Sequence, residues 1–203
     1  MATKRYLLKR YFLALAILLV TAFASAAAPH HAWVRAALDR VPVAKLDKTP
    51  ERTVLRAQNL DVFAAEIARV SAKAPLPPRQ WASLLGAIGS VESNFDTDIV
   101  AGRCKPYECD RGRAKGAFQN QNVKPVADLW PIADGNIAAQ VDMADRMLRR
   151  TWSRCAPFAP FPASAFRGYR GGSCSWPVHR EAERVAAYVR LMATPSVKSG
   201  GAS

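Results

Sequence analysis

LLGAIGSVESNFD, Leu84–Asp96, is the stretch on which the fold turns. At about 100° per residue, Trp81, Leu84, Leu85, Ile88 and Val91 gather on one side of a helix expected over Arg79–Ser93. Glu92 follows Leu85 by seven residues and Ile88 by four, so it falls inside that stripe and not on a polar back. A carboxyl group placed there leaves bulk water, and desolvation disfavours its charged form. A carboxyl that keeps its proton near neutral pH is what general-acid chemistry requires. Two other readings of Glu92 stand beside this one: a frayed last turn that exposes it, or an ion pair with an arginine such as Arg103 or Arg113. A negative charge near a helix C-terminus opposes the macrodipole, so nothing local favours it as decoration.

Working outward, the chain of 203 residues is long enough for one substantial core. Half of it is hydrophobic and 22% is charged, a globular composition. The N-terminus reads as an export signal over residues 1–26. MATKRYLLKR is a basic region, YFLALAILLVTAFA an unbroken apolar run, and ASA at Ala24–Ala26 a small-residue cleavage site. The run is short for a membrane-spanning helix, and an uncleaved anchor is the competing reading. Removing Lys4, Arg5, Lys9 and Arg10 with that segment lowers the formal net charge from +13 by four. The mature chain stays basic and favours anionic partners: nucleic acid, lipid headgroups or envelope polymers. Export makes nucleic acid the least expected of these. The arginines are dispersed, without a basic amphipathic helix or basic-aromatic interleaving, which argues against a binder resting on charge alone.

Cys104, Cys109, Cys155 and Cys174 all lie in the exported part, and an even count there reads as two disulfides. Three pairings are possible; Cys104–Cys109 with Cys155–Cys174 is favoured because each closes a local loop. The spacing fits no standard zinc motif, and His30, His31 and His179 show no ligand periodicity, so neither metal nor cofactor is expected.

Residues 27–60 read as an arm or linker with one short helix at AWVRAAL, and the compact part is expected from Asp61 to residue 193. There DVFAAEIARVSA opens a helix behind a capping aspartate. PLPP breaks the chain, with Pro78 suited to the first turn of the next helix. A long irregular section over Asn94–Pro131 is of the kind that is functional or covalently pinned. A helix from Asp134 places Ile137, Val141, Ala144 and Leu148 on one face. CAPFAPFP is a rigid connector, SAFRGYRGG a short helix stopped by Gly171 and Gly172, and HREAERVAAYVRLM the last helix. The tail 194–203 is expected to be disordered. The class is mainly α.

Glu92–Phe95, ESNF, followed by Gly116–Gln119, GAFQ, and Gly168–Gly172, GYRGG, resembles the ordered signature of soluble lytic transglycosylases of the lysozyme-like superfamily. GNIAAQVDMADRML is similar to the helix these proteins place between the second and third elements, and Tyr188–Val189 to a pair in their last helix. The resemblance spans roughly Pro78 to Met192. It implies a lysozyme-like single domain with a long disulfide-pinned loop between the catalytic helix and the following helices. It implies Glu92 as the acid that protonates the glycosidic oxygen and later acts as base. Ser93 would help hold the glutamate or the substrate, Phe118 and Gln119 would line the cleft, and the Tyr169 hydroxyl would reach the acid or the sugar. By residue type alone, Phe118 and Tyr169 read as core, Ser93 as a helix-end hydroxyl and Gln119 as a loop-pinning amide. Phe118 replaces the family's Met, and Arg170 its Asn, which removes a hydrogen-bond acceptor.

Most glycosidases use two carboxylates across the scissile bond. The resembled family uses one, because the substrate's N-acetyl group supports the oxocarbenium-like centre and an internal hydroxyl replaces water, giving an anhydro product. Asp96, Asp98 and Asp110 are the candidates for a second carboxylate; Asp96 and Asp98 read equally as turn formers. The expected function is thus lytic transglycosylation of peptidoglycan glycan strands by a monomer, periplasmic or secreted, with no stable membrane insertion. A muramidase on the same scaffold and an inactive wall-binding relative are the alternatives.

Overall fold

The computed structural model describes residues 30–103, 115–119, 134–170 and 174–196. Its regular elements are helical, and the described residues contain no strand, in keeping with the mainly α expectation. In chain order they are α1 (30–38), a 3-10 turn Lys45–Lys48, α2 (Pro50–Ser71), α3 (Pro78–Ser93), α4 (Thr97–Val100), α5 (Ile137–Thr151), α6 (Ala163–Arg170) and α7 (Glu181–Met192).

Helix α3 is the central rod. Every residue from Trp81 to Val91 is buried, so the helix is enclosed on all sides instead of presenting one apolar stripe. Small residues make this possible. A Cβ on Gly86 would sit 2.9 Å from the Leu191 side chain of α7, and one on Gly89 would sit 2.4 Å from the Phe95 ring. Helices α2, α5 and α7 surround the rod. At one corner the Trp81 indole donates to Asp145 at 2.7 Å, and Arg149 bonds the other oxygen of Asp145 at 2.7 Å. The same guanidinium donates to the carbonyls of Val70 and Lys73, satisfying acceptors at the C-terminal end of α2.

Two sequence expectations are corrected here. Helix α2 starts eleven residues before Asp61, at Pro50, where the Thr49 hydroxyl accepts from the Arg52 N–H and proline occupies the first turn. Asp61 is therefore mid-helix, ion-paired with Arg35 of α1. Residues 30–60 are also not a free arm: α1 buries Trp33, Val34, Ala37 and Leu38 in the main core. The Trp33 indole donates to the Thr194 carbonyl at 3.0 Å, and Arg79 bonds the Ser196 hydroxyl at 2.8 Å, so the start of the expected tail is docked as well. Segments read as polar were placed by a few long-range anchors, of which the tryptophan is the largest.

The Cys155–Cys174 disulfide is formed, with S–S 2.03 Å, which fits an oxidising compartment. Cys104 and Cys109 lie outside the described residues, as does the expected signal segment. No helix among the described residues is long and apolar enough to cross a membrane.

Candidate active site

The chain reverses sharply at the end of α3. Asn94 and Phe95 both take the left-handed conformation, with φ 53° and 54°, which is rare for a bulky residue. Local bonds hold the reversal: the Ser93 hydroxyl donates to the Gly89 carbonyl (3.2 Å) and accepts from the Phe95 N–H (3.0 Å). Packing holds it too. The Phe95 ring tucks under Gly89 and meets Phe63 edge-on at 4.9 Å and Phe118 at 6.3 Å. Two adjacent residues in a sparsely populated region persist only where the surroundings over-determine them, and such sites cluster at functional positions.

Glu92 sits immediately before this reversal, its side chain 9% exposed, and its carboxylate accepts from Arg184 of α7. Arg184 has no exposed side-chain surface; it also donates to the His179 carbonyl, and its Nε has no partner. One turn earlier, Arg180 donates to the Val91 carbonyl, a cation at the C-terminal end of α3 where the macrodipole favours it. Glu181 completes the cluster through a buried pair with Arg167, 2.8 Å. Burial works against the Glu181 charge. The bonds from Arg167 and the Val178 N–H, and the charges of Arg167 and Arg184, outweigh it and hold this carboxyl below the usual range.

The isolated acid expected from the apolar stripe is thus replaced by an ion pair. Of the two arginines suggested, Arg103 pairs with Asp98 at 3.0 Å, and Arg113 lies outside the described residues. Sequence reading missed Arg184, although the same test would have flagged it. Arg184 falls in the buried stripe of α7 with Glu181, Ala187, Tyr188 and Leu191.

The GAFQ element is fixed by Gln140, also unforeseen. Its Oε1 accepts from the Ala117 N–H (2.8 Å) and its Nε2 donates to the Val100 carbonyl (2.9 Å). Gly116 has φ +67°, and a Cβ there would come within 2.7 Å of Gln140. Phe118 is 1% exposed, wedged against Phe63 and Phe95. That corrects the expectation of a cleft-lining ring: with two aromatic neighbours meeting it edge to face, it is core. Gln119 folds its amide back onto the Gly116 carbonyl at 3.0 Å. The first two elements are therefore brought together, through Phe95 and Phe118. Tyr169 is buried on α6, whose Gly168 lies where a Cβ would come 1.9 Å from the Thr151 carbonyl oxygen; the Arg170 side chain is outside the described set.

No protein-family model, curated protein or solved structure matches this chain.

The other carboxylates near the reversal are engaged. Asp96 caps α4, accepting from the N–H groups of Asp98 (2.9 Å) and Ile99 (3.2 Å). Burial pushes its carboxyl up, the bond from Ile99 opposes this, and the Asp47 charge adds to the rise. Asp98 is paired with Arg52 at 2.7 Å as well as with Arg103. Asp47, fully buried, accepts from the Thr97 hydroxyl at 2.6 Å. Asp110 is outside the described residues. Among those described, no group of three or more His, Cys, Asp or Glu could hold a metal ion. What the end of α3 offers chemically is a shielded carboxylate, fixed on a rigid helix and facing a guanidinium.

Proposed function

We propose that this chain is an exported, periplasmic or secreted enzyme that cleaves the glycan strands of peptidoglycan, a lytic transglycosylase of lysozyme-like fold. The observation that carries the reading is Glu92: a nearly buried carboxylate at the end of a core helix, held just before a strained reversal that joins ESNF to GAFQ. In this reading the Arg184 contact is the resting state. A glycan strand entering beside α3 draws Glu92 away from the guanidinium; the released carboxylate takes up a proton from water and gives it to the glycosidic oxygen as the bond to the leaving sugar breaks. The carboxylate so formed then accepts the proton of the sugar's own hydroxyl as that oxygen closes the anhydro ring. The commitment of Asp96 to a helix cap and of Asp98 to two arginines supports this one-carboxylate route over a muramidase that uses either of them as its second acid.

A second reading is favoured by the same ion pair. A carboxylate locked against a fully buried arginine is also what an inactive wall-binding relative would retain for stability. Digestion of purified peptidoglycan separates them. The enzyme yields muropeptides with 1,6-anhydro ends, and Glu92→Gln abolishes them while the protein remains folded. Wild type and Glu92→Gln equally without products would leave the binder, and reducing ends in place of anhydro ends would leave the hydrolase.

A further inference from the structure

The connectors flanking α6 carry apolar groups that the interior does not use. Phe158, Phe161 and Trp176 are 56%, 41% and 74% exposed. They stand on two pieces of chain fastened to each other. The Cys155–Cys174 disulfide brings their Cα atoms to 5.0 Å, and the Arg167 guanidinium donates both to the Cys174 carbonyl (2.9 Å) and to the Phe158 carbonyl (3.4 Å). Arg167 is itself anchored by Glu181. The Phe161 ring meets Tyr188 of α7 edge-on at 5.5 Å. Pro157, Pro160, Pro162 and Pro177 stiffen the backbone next to the rings. Side chains displayed on so restrained a frame lose little freedom when something binds them.

Exposed apolar groups clustered in this way mark a contact surface, and their chemistry selects the partner. Among the described residues, the large exposed hydrophobic side chains of these connectors are all aromatic. Polar groups are interspersed: Ser153, Ser175 and His179 are exposed along the same segments. A pyranose ring needs both. Its C–H face is apolar and weakly positive, matching the negative face of an aromatic ring, while its hydroxyls need hydrogen-bonding groups at the ring's edge. Exposed Arg154 lies on the first of these segments, a charge complement to a glycan that carries carboxylates. Tyr188, which Phe161 meets, shares the buried stripe of α7 with Arg184, so the platform adjoins the helix whose arginine pairs with Glu92.

We propose that Phe158, Phe161 and Trp176 form a stacking platform for a carboxylate-bearing glycan strand, separate from the carboxylate that would cut it. The identity of the strand rests on the glycan-cleaving reading; the platform's existence does not require cleavage. The test is binding of peptide-free peptidoglycan glycan strands to the mature chain with its disulfide intact, followed by sedimentation, with anhydro ends scored separately. Trp176→Ala should weaken binding about tenfold, as one lost stacking contact implies, and Trp176→Phe should restore most of it. Phe158→Ala should weaken it in the same direction. Strands held through Trp176 but never cut would keep the platform and overturn the enzyme. Strands bound or cut equally well by wild type and Trp176→Ala would overturn the platform. Trp176-dependent binding to phosphatidylglycerol vesicles with none to strands would also overturn it, in favour of a membrane contact.

Discussion

Replacing Arg184 by methionine should destabilise the protein more than replacing Arg184 and Glu92 together. Arg184 has no exposed side-chain surface and the Glu92 side chain only 9%, so the single change leaves a carboxylate shielded from water with its cation gone. It also removes the donor to the His179 carbonyl. Breaking a buried pair from one side costs about 3–5 kcal/mol. The residual exposure of Glu92 lets some water reach it and places the loss at the lower end, about 3 kcal/mol. For a folded body of this size that is a fall in Tm of roughly 6–12 °C. The double variant Glu92→Leu/Arg184→Met removes both charges, and with them the desolvated Nε that has no partner in the folded protein. Its stability should return to within about 1 kcal/mol of wild type, because apolar replacement of a whole buried pair is often neutral or better. Urea denaturation of the four proteins, disulfide intact, gives the coupling energy directly, with unchanged m-values confirming that each unfolds from a comparable state. Independent sites add to within about 0.5 kcal/mol. A coupling no larger than that would refute the pairing and, with it, the resting state assigned to Glu92.

Two further outcomes follow from particular contacts. Gly89→Ala should lower Tm, because its Cβ would lie 2.4 Å from a Phe95 ring boxed in by Phe63 and Phe118; overpacking of about 1–3 kcal/mol exceeds the helix-propensity gain of about 1. Gly86→Ala meets only the end of the Leu191 side chain and should be the milder change, so the reverse order in thermal melts would show that the reversal is not packed as described. The Arg167–Glu181 pair predicts a pH dependence. The folded-state carboxyl of Glu181 titrates below its unfolded value, so its contribution is present above the ordinary glutamate range and is lost as pH falls through the lowered folded value. The urea midpoint should therefore drop on acidification below about pH 4.5, and Arg167→Met should flatten that drop; Asp96, shifted the other way, is common to both proteins and cancels. Equal slopes in the two would sink the assignment.

Helices whose ends are marked locally were legible, and those defined by distant partners were not. Pro78 at the start of α3 and the Val141–Ala144–Leu148 face of α5 could be read because proline chemistry and 3.6-residue periodicity act within a few residues. The Cys155–Cys174 pairing was also readable, because the loop it closes is short. The start of α2 was missed because Asp61 looks like a cap, whereas Thr49 and Pro50 supply the actual one and Val54 and Leu55 face outward, which hides the periodicity. Residues 30–38 looked like an arm because one tryptophan and three aliphatic or small residues do not announce a core. What places them is the bond of the Trp33 indole to Thr194, 161 residues away. Phe118 shows the opposite failure: a motif suggested a cleft wall, and the plain expectation for a phenylalanine, burial, described it better.

Glu92 and Arg184 lie 92 residues apart, yet each was marked in its own helix by the same anomaly. A charged residue inside a buried stripe must lose its charge, find water or find an opposite charge, since an unpaired buried ion costs several kcal/mol. Two such anomalies of opposite sign on helices that pack together constrain one another: α3 and α7 are in contact along much of their length. A buried-stripe arginine on one helix and a buried-stripe glutamate on another together point to the ion pair. The pairing also changes what the glutamate must do to work as an acid. In the proposed reading, a substrate must draw Glu92 away from a guanidinium that has no exposed side-chain surface. A strand anchored beforehand on the connectors beside α7 would supply that displacement from contacts remote from the cleaved bond, which is where binding energy acts on a barrier without being wasted on the ground state.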